Sequence, residues 1–130
     1  MAIHGIGTDI VSIARISAAL GRHEERFAKK VLAEAELARY DTLSSTAQPA
    51  YVAKRFAAKE AFFKALGEPP SEANTWHQLA VVNDAAGRPH LQCAPLLAQL
   101  LRDKKIMATH VTLSDEREHA VAFVTLEKES

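Results

Sequence analysis

The stretch Lys54-Arg55-Phe56-Ala57-Ala58-Lys59-Glu60-Ala61-Phe62-Phe63-Lys64-Ala65-Leu66-Gly67 sets the architecture of this chain. It completes the longest helical pattern, residues 48–66, which starts near Pro49, a residue favoured in a first turn. Ala53, Ala57, Ala61 and Ala65 recur every fourth residue, so one narrow side of the helix permits close packing. Gly67 is a good C-terminal stop. Phe56, Glu60 and Lys64 share one face at i, i+4 and i+8.

The element that such a helix needs as a partner stands at the start of the chain. Residues 2–11 read as a strand rich in Ile and Val. Gly5, Gly7 and Asp9 fall on one face, and Ile6, Thr8 and Ile10 on the other. Glycine inside a strand marks the close approach of a ligand or of another backbone. Two readings stand equal here: the glycines clear space beside the Asp9 carboxylate, or they admit a packed helix. Ser12 is a candidate N-cap for a helix through residues 13–20.

Residues 24–31 and 33–40 read as two further helical pieces, followed by the polar loop Thr42-Leu43-Ser44-Ser45-Thr46. Residues 68–74 are a loop by composition. Residues 77–83 and Arg88 to Gln92 read as paired strands around the turn Asn83-Asp84-Ala85-Ala86-Gly87. Pro95 opens a helix through Leu101. Residues 105–114 and 119–127 are two more strands. Ala120-Val121-Ala122-Phe123-Val124 is apolar on both faces, which predicts a central position in a sheet. The expected fold is α+β: one domain over 1–130, with a small, mainly antiparallel sheet packed against helices, one of them long and central.

Composition narrows the function classes. The 130 residues are 48% hydrophobic, enough for a core without disulfides. The single cysteine, Cys93, is expected to be a small buried hydrophobe, and its lack of a partner makes a reducing cytoplasm the default. Lys plus Arg and Asp plus Glu number 16 each, so any acidic partner must meet a local patch. No apolar run approaches the roughly 20 residues that span a bilayer, and no secretory signal pattern is present. No P-loop, Gly-x-Gly-x-x-Gly, Gly-x-Ser-x-Gly or zinc-spaced histidine pair occurs.

Three groups of residues remain as chemistry. Glu60 and Lys64 alone could be an exposed helix pair worth about 0.2–0.5 kcal/mol. Together with Asp9, Glu60 offers two carboxylates beside a lysine, and Mg²⁺ is usually held by one or two carboxylates plus substrate phosphates. Arg15, Arg22, Arg26, Lys29 and Lys30 face only Glu24 and Glu25 in their segment. They form either a solvated face or a docking site for an acidic protein helix. Nucleic acid fits less well, since the patch is short and only Phe27 lies within it. His110 alternates outward with Thr112 and Ser114 on its strand.

Four ordered blocks carry a resemblance over nearly the whole chain. They are Gly5-Ile6-Gly7-Thr8-Asp9-Ile10-Val11 with Ala14-Arg15-Ile16, and Lys54 to Ala61 with Lys64-Ala65. Gly87-Arg88-Pro89 and His110-Val111-Thr112-Leu113-Ser114-Asp115-Glu116 complete them. The chain resembles the holo-acyl-carrier-protein synthases, small phosphopantetheinyl transferases of bacterial fatty acid synthesis. The resemblance implies that fold and the transfer of 4′-phosphopantetheine from coenzyme A to a serine of apo-acyl carrier protein, with release of adenosine 3′,5′-bisphosphate. It implies Mg²⁺ on Asp9 and Glu60, with Lys64 stabilising charge on the phosphates, so that Asp9, Glu60 and Lys64 form the catalytic set. The serine proton would pass to Glu60 or to a water oriented by Asp9 or Glu60. Arg55, Lys64, Pro89 and His110 would line the coenzyme A site. Arg15, Arg22 and Arg26 would meet the acidic helix after the carrier's serine. A homotrimer with interfacial active sites is implied, with no nucleic acid and no membrane. Where many members carry a Thr-Gly loop after Lys-Ala-x-Gly, this chain has Gly67-Glu68-Pro69-Pro70-Ser71-Glu72. A coenzyme A-binding module without turnover, or a structural interaction protein using the basic segment, are the competing classes.

Overall fold

The computed structural model describes residues 1–23, 25–70 and 76–130. Strand β1 (Ala2–Ser12) runs into helix α1 (Ile13–His23), where the Ser12 hydroxyl accepts from the Arg15 N–H at 3.3 Å. That is the expected N-cap, and it turns the chain from strand to helix. α1 continues past Leu20, because Gly21 lies in open space near the helix end, where its flexibility is tolerated. Two short helices follow, α2 (Glu25–Val31) and α3 (Glu34–Tyr40). The long helix α4 (Gln48–Leu66) has Pro49 in its first turn and stops at Gly67, whose φ of 86° is left-handed and whose N–H closes on the Phe63 carbonyl.

Strands β2 (Leu79–Asn83) and β3 (Pro89–Cys93) form an antiparallel hairpin. Its turn is held by the Asp84 carboxylate, which accepts from the N–H groups of Ala86 and Arg88. Residues Trp76–Gln78 form a 3₁₀ turn rather than the start of β2. The Trp76 carbonyl is taken by the Lys59 ammonium at 3.0 Å and so is lost to a strand ladder. Helix α5 (Pro95–Asp103) leads to β4 (Ile106–Asp115) and β5 (His119–Lys128). The expected loop at Ser71–Asn74 lies outside the described residues, as does Glu24.

The main sheet is antiparallel in the order β1-β5-β4, so the doubly apolar last strand is indeed central. Its inner face puts Ala120, Ala122, Val124 and Leu126 under α4, all fully buried. α4 settles the question left open by the glycines. A Cβ on Gly7 would lie 1.9 Å from the Ala61 carbonyl oxygen, and one on Gly5 would lie 1.9 Å from that of Ala65. The helix backbone therefore rests on the strand backbone, with alanines on one side and glycines on the other. The small-residue stripe and the small-residue strand are one packing device.

Candidate active site

Asp9 follows the two glycines on the same face of β1, so the close packing of α4 carries it to the helix. Lys64 donates to the Thr8 carbonyl at 2.9 Å and to Asp9 Oδ1 at 3.2 Å. Glu60, one turn earlier on α4, lines a cavity of about 460 Å³ together with Asp9. The same cavity is lined by Arg15 and Arg22 from α1 and by Phe27 and Phe56. A shallower depression of about 330 Å³ continues from Glu60 and Lys64 to Gly67, Glu68, Pro69 and Pro70. Glu60 lines both depressions, with Asp9 in the first and Lys64 in the second.

The electrostatics of the pair are strained in an informative way. Partial burial pushes the Glu60 carboxyl above its ordinary value, and the Asp9 charge adds to this, while Lys64 opposes it. Two carboxylates crowded in this manner gain from a shared divalent cation. Both offer hard oxygen donors, the set Mg²⁺ prefers, and the cavity leaves room for water and phosphate oxygens. The residues fit that ion.

A stability prediction follows from the Glu60 shift. A carboxyl with a raised folded-state pKa binds its proton more tightly in the folded than in the unfolded chain. Stability is therefore lost as pH rises through the window just above the ordinary value of 4.5. In EDTA, Glu60→Gln is expected to melt above wild type at pH 7, with the gap closing as pH falls toward that value. Thermal scans at several pH values read this directly. An unchanged or lower melting point at pH 7 would contradict the crowding.

The remaining site residues are placed elsewhere. Arg26 lines a separate depression with Arg22, His23, Glu25 and Lys29, so Arg22 links the basic patch to the acid pair. Arg55 is buried, stacks on the Tyr51 ring at 4.0 Å and lines a cavity of about 570 Å³ with Arg39, Lys54 and Asn83. Pro89 opens β3 opposite Asn83. His110 pairs across β5 with Thr125, which itself faces Ile6, on the side of the sheet turned away from Asp9. One chain therefore unites Asp9, Glu60, Lys64, Arg15 and Arg22, and holds Arg55, Pro89 and His110 apart from them.

Sequence reasoning missed two features. Phe56 packs between Phe27 and Trp76, with ring centroids at 6.4 and 5.2 Å, and so builds the apolar wall of the cavity. The placement of Phe56 on the Glu60 face was the available signal. Lys59 and Glu36 form a fully buried ion pair. Its only trace in sequence was a lysine on the helix side opposite the alanine stripe.

A model of the 4′-phosphopantetheinyl transferase superfamily matches residues 5–124. The holo-[acyl-carrier-protein] synthase of Thiobacillus denitrificans is 48% identical over 126 residues, 97% of this chain and 95% of that protein. The crystal structure of the Neisseria meningitidis synthase superimposes with a TM-score of 0.92 at 37% identity, covering 97% of this chain and 99% of that one. The Bacillus anthracis synthase, solved in complex with CoA (3′,5′-ADP), gives a TM-score of 0.82 at 32% identity, covering 99% of this chain and 100% of that one. The fold is thus that of a group-transfer enzyme class. The chain belongs to the 4′-phosphopantetheinyl transferase superfamily.

Proposed function

We propose that Asp9 and Glu60 hold Mg²⁺ while the chain transfers 4′-phosphopantetheine from coenzyme A to a serine of apo-acyl carrier protein, releasing adenosine 3′,5′-bisphosphate. The transfer itself is the activity of its family, and the chain is a holo-acyl-carrier-protein synthase by that membership. The observation that carries the assignment of residues is the Lys64–Asp9 contact beside Glu60, which lines a depression with each of them.

The chemistry is phosphoryl transfer, in which positioning and charge neutralisation do most of the work. The serine oxygen forms a bond to the phosphorus that bears the pantetheine arm. The bond from that phosphorus to the bridging oxygen breaks, and the nucleotide bisphosphate departs. When bound, the ion polarises the attacked phosphoryl group and offsets charge on the pyrophosphate. Lys64 supports the same charge as a point cation, since two of its three donors are used by Thr8 and Asp9 and one remains. The serine proton is taken up at the acid pair, by Glu60 or by a water that the pair orients.

Arg15 and Arg22 line the cavity, and Arg22 and Arg26 line the next depression, a set of cations suited to the acidic helix of a carrier protein. Arg26→Glu is expected to raise KM for the carrier several-fold and to leave KM for coenzyme A unchanged. An equal effect on both would remove the docking role. Raised salt should weaken the carrier interaction, because exposed charges are screened beyond about 8 Å at physiological ionic strength.

The outer face of the sheet supports a homotrimer with interfacial sites. Ile6 is 58% exposed, Ile10 64% and Phe123 42%, a contiguous apolar surface across β1 and β5. His110 belongs to the same face. In such a trimer Arg55, Pro89 and His110 of one copy would hold coenzyme A at the Asp9 and Glu60 of the next. Among the described residues no helix is long and apolar enough to cross a membrane. Burial raises the Cys93 thiol to about 11, which leaves it an inert single thiol, in keeping with a reducing cytoplasm.

A further inference from the structure

The strongest unassigned feature is the pair of charges in the core. Lys59 is 0% exposed and Glu36 2%. The Lys59 ammonium donates to Glu36 Oε1 at 2.5 Å, to the Val31 carbonyl at 2.7 Å and to the Trp76 carbonyl at 3.0 Å. Glu36 Oε1 also accepts from the Ala33 N–H at 2.9 Å, and Oε2 accepts from the Val81 N–H at 2.8 Å. The Tyr51 hydroxyl closes the set on the Glu36 carbonyl at 3.1 Å. One ion pair thus joins the end of α2, α3, α4, the 3₁₀ turn and β2. Burying two charges is a poor route to stability, since a well-packed apolar pair serves as well or better. The pair therefore invites a reading in geometry rather than in stability.

We infer that the buried Lys59–Glu36 pair positions the reaction, by fixing the rotation of α4 and thereby the reach of Glu60 toward Asp9. The inference rests on the function proposed above. An α-helix turns about 100° per residue, so Lys59 lies roughly 200° from both Ala57 and Ala61. The alanines seat α4 on the β1 glycines, and Lys59 grips the opposite side. Glu60 falls between the two seats, about 100° from Lys59 and about 100° from Ala61. Apolar packing of Val52, Phe62, Phe63 and Leu66 also surrounds α4, but it is not directional; the Lys59 hydrogen bonds are, and with the alanine seat they present Glu60 at one angle. The second arm runs through Trp76. Its carbonyl is held by Lys59, its ring packs on Phe56, and Phe56 lines the cavity that contains Asp9 and Glu60. Lys59 is thus a positioning residue that touches no substrate and sets two walls of the site.

The test compares wild type with the double variant Glu36→Gln/Lys59→Met, which removes both charges and leaves neither unpaired. Partners behind a metal ligand typically contribute about 10–100-fold to metal affinity or activity. The double variant is expected to bind Mn²⁺, read by electron paramagnetic resonance without turnover, about 10-fold more weakly and to lose about 10-fold in kcat. KM for the carrier should stay unchanged, because Arg15 and Arg22 stand on α1, whereas the melting temperature should fall, because methionine leaves the Val31 and Trp76 carbonyls without their donor. A purely structural pair would move the melting temperature and leave the Mn²⁺ affinity of the folded fraction at the wild-type value. If the double variant does not fold, Glu36→Gln alone keeps both carbonyl partners of Lys59. It is expected to show the same split between kcat and carrier KM, to about 3-fold. Wild-type Mn²⁺ affinity and kcat in the folded variant, beside an active wild type, would overturn the inference alone. A wild-type protein that modifies no carrier would overturn the functional reading and this inference with it.

Discussion

Gly7→Ala is expected to be the most disruptive single-methyl change in the chain. Its new Cβ would lie 1.9 Å from the Ala61 carbonyl oxygen and 2.9 Å from both the Ala61 carbonyl carbon and the Ala65 nitrogen. All three are backbone atoms of α4, so no side chain can swing aside. Either the helix lifts from the sheet or β1 leaves β5. Overpacking a well-filled core costs about 1–3 kcal/mol, and occasionally more. A clash with helix backbone belongs at or above the top of that range, against a total domain stability of only about 5–15 kcal/mol. The loss should appear in both denaturant midpoint and activity, since lifting α4 also parts Glu60 from Asp9. Gly21→Ala is the control. Nothing lies within 4 Å of its added Cβ, and alanine in a helix is favoured over glycine by about 0.5–1 kcal/mol, so it should stabilise. A Gly7→Ala protein as stable as wild type would contradict the helix-on-glycine seam.

Glu60→Ala and Asp9→Ala are expected to abolish magnesium-dependent transfer while the fold persists. Groups that merely support a metal ligand account for about 10–100-fold, so loss of a ligand itself should exceed about 100-fold in kcat. The fold should survive because Glu60 is only half-buried and carries an unfavourable burial and a like charge. Circular dichroism and a thermal scan check the fold; carrier modification against Mg²⁺ concentration checks the chemistry. Wild-type rates in either variant would remove the metal assignment. Unfolding of Glu60→Ala at neutral pH would contradict the electrostatic account of the site.

Most of the fold was legible because it follows from local rules. The Gly67 stop, the Ser12 cap and the Asp84–Gly87 turn each rest on a residue whose backbone or side-chain geometry is short-ranged. The central place of β5 was legible from its two apolar faces. The meeting of Asp9 with Lys64 is a contact between residues 55 positions apart, and its trace in sequence was the pairing of a glycine strand with an alanine helix. Sequence left the purpose of the glycines open, since a missing Cβ looks alike whether a ligand or a helix fills the space. The Lys59–Glu36 pair left only a faint trace, a lysine opposite the alanine stripe. A lysine beside Glu60 on a helix reads as surface, and only the arrival of α2, α3 and β2 around it shows that it is buried. The same limit hid the Phe27–Phe56–Trp76 wall, whose members come from three separate segments.

The most direct test of the central claim is to incubate the protein with coenzyme A, Mg²⁺ and apo-acyl carrier protein and to weigh the carrier by mass spectrometry. The carrier should gain the mass of one phosphopantetheine unit, and the gain should vanish with EDTA and in Glu60→Ala. Modification that persists in EDTA or in Glu60→Ala would contradict the metal role of the acid pair, and a carrier of unchanged mass would contradict the transfer itself.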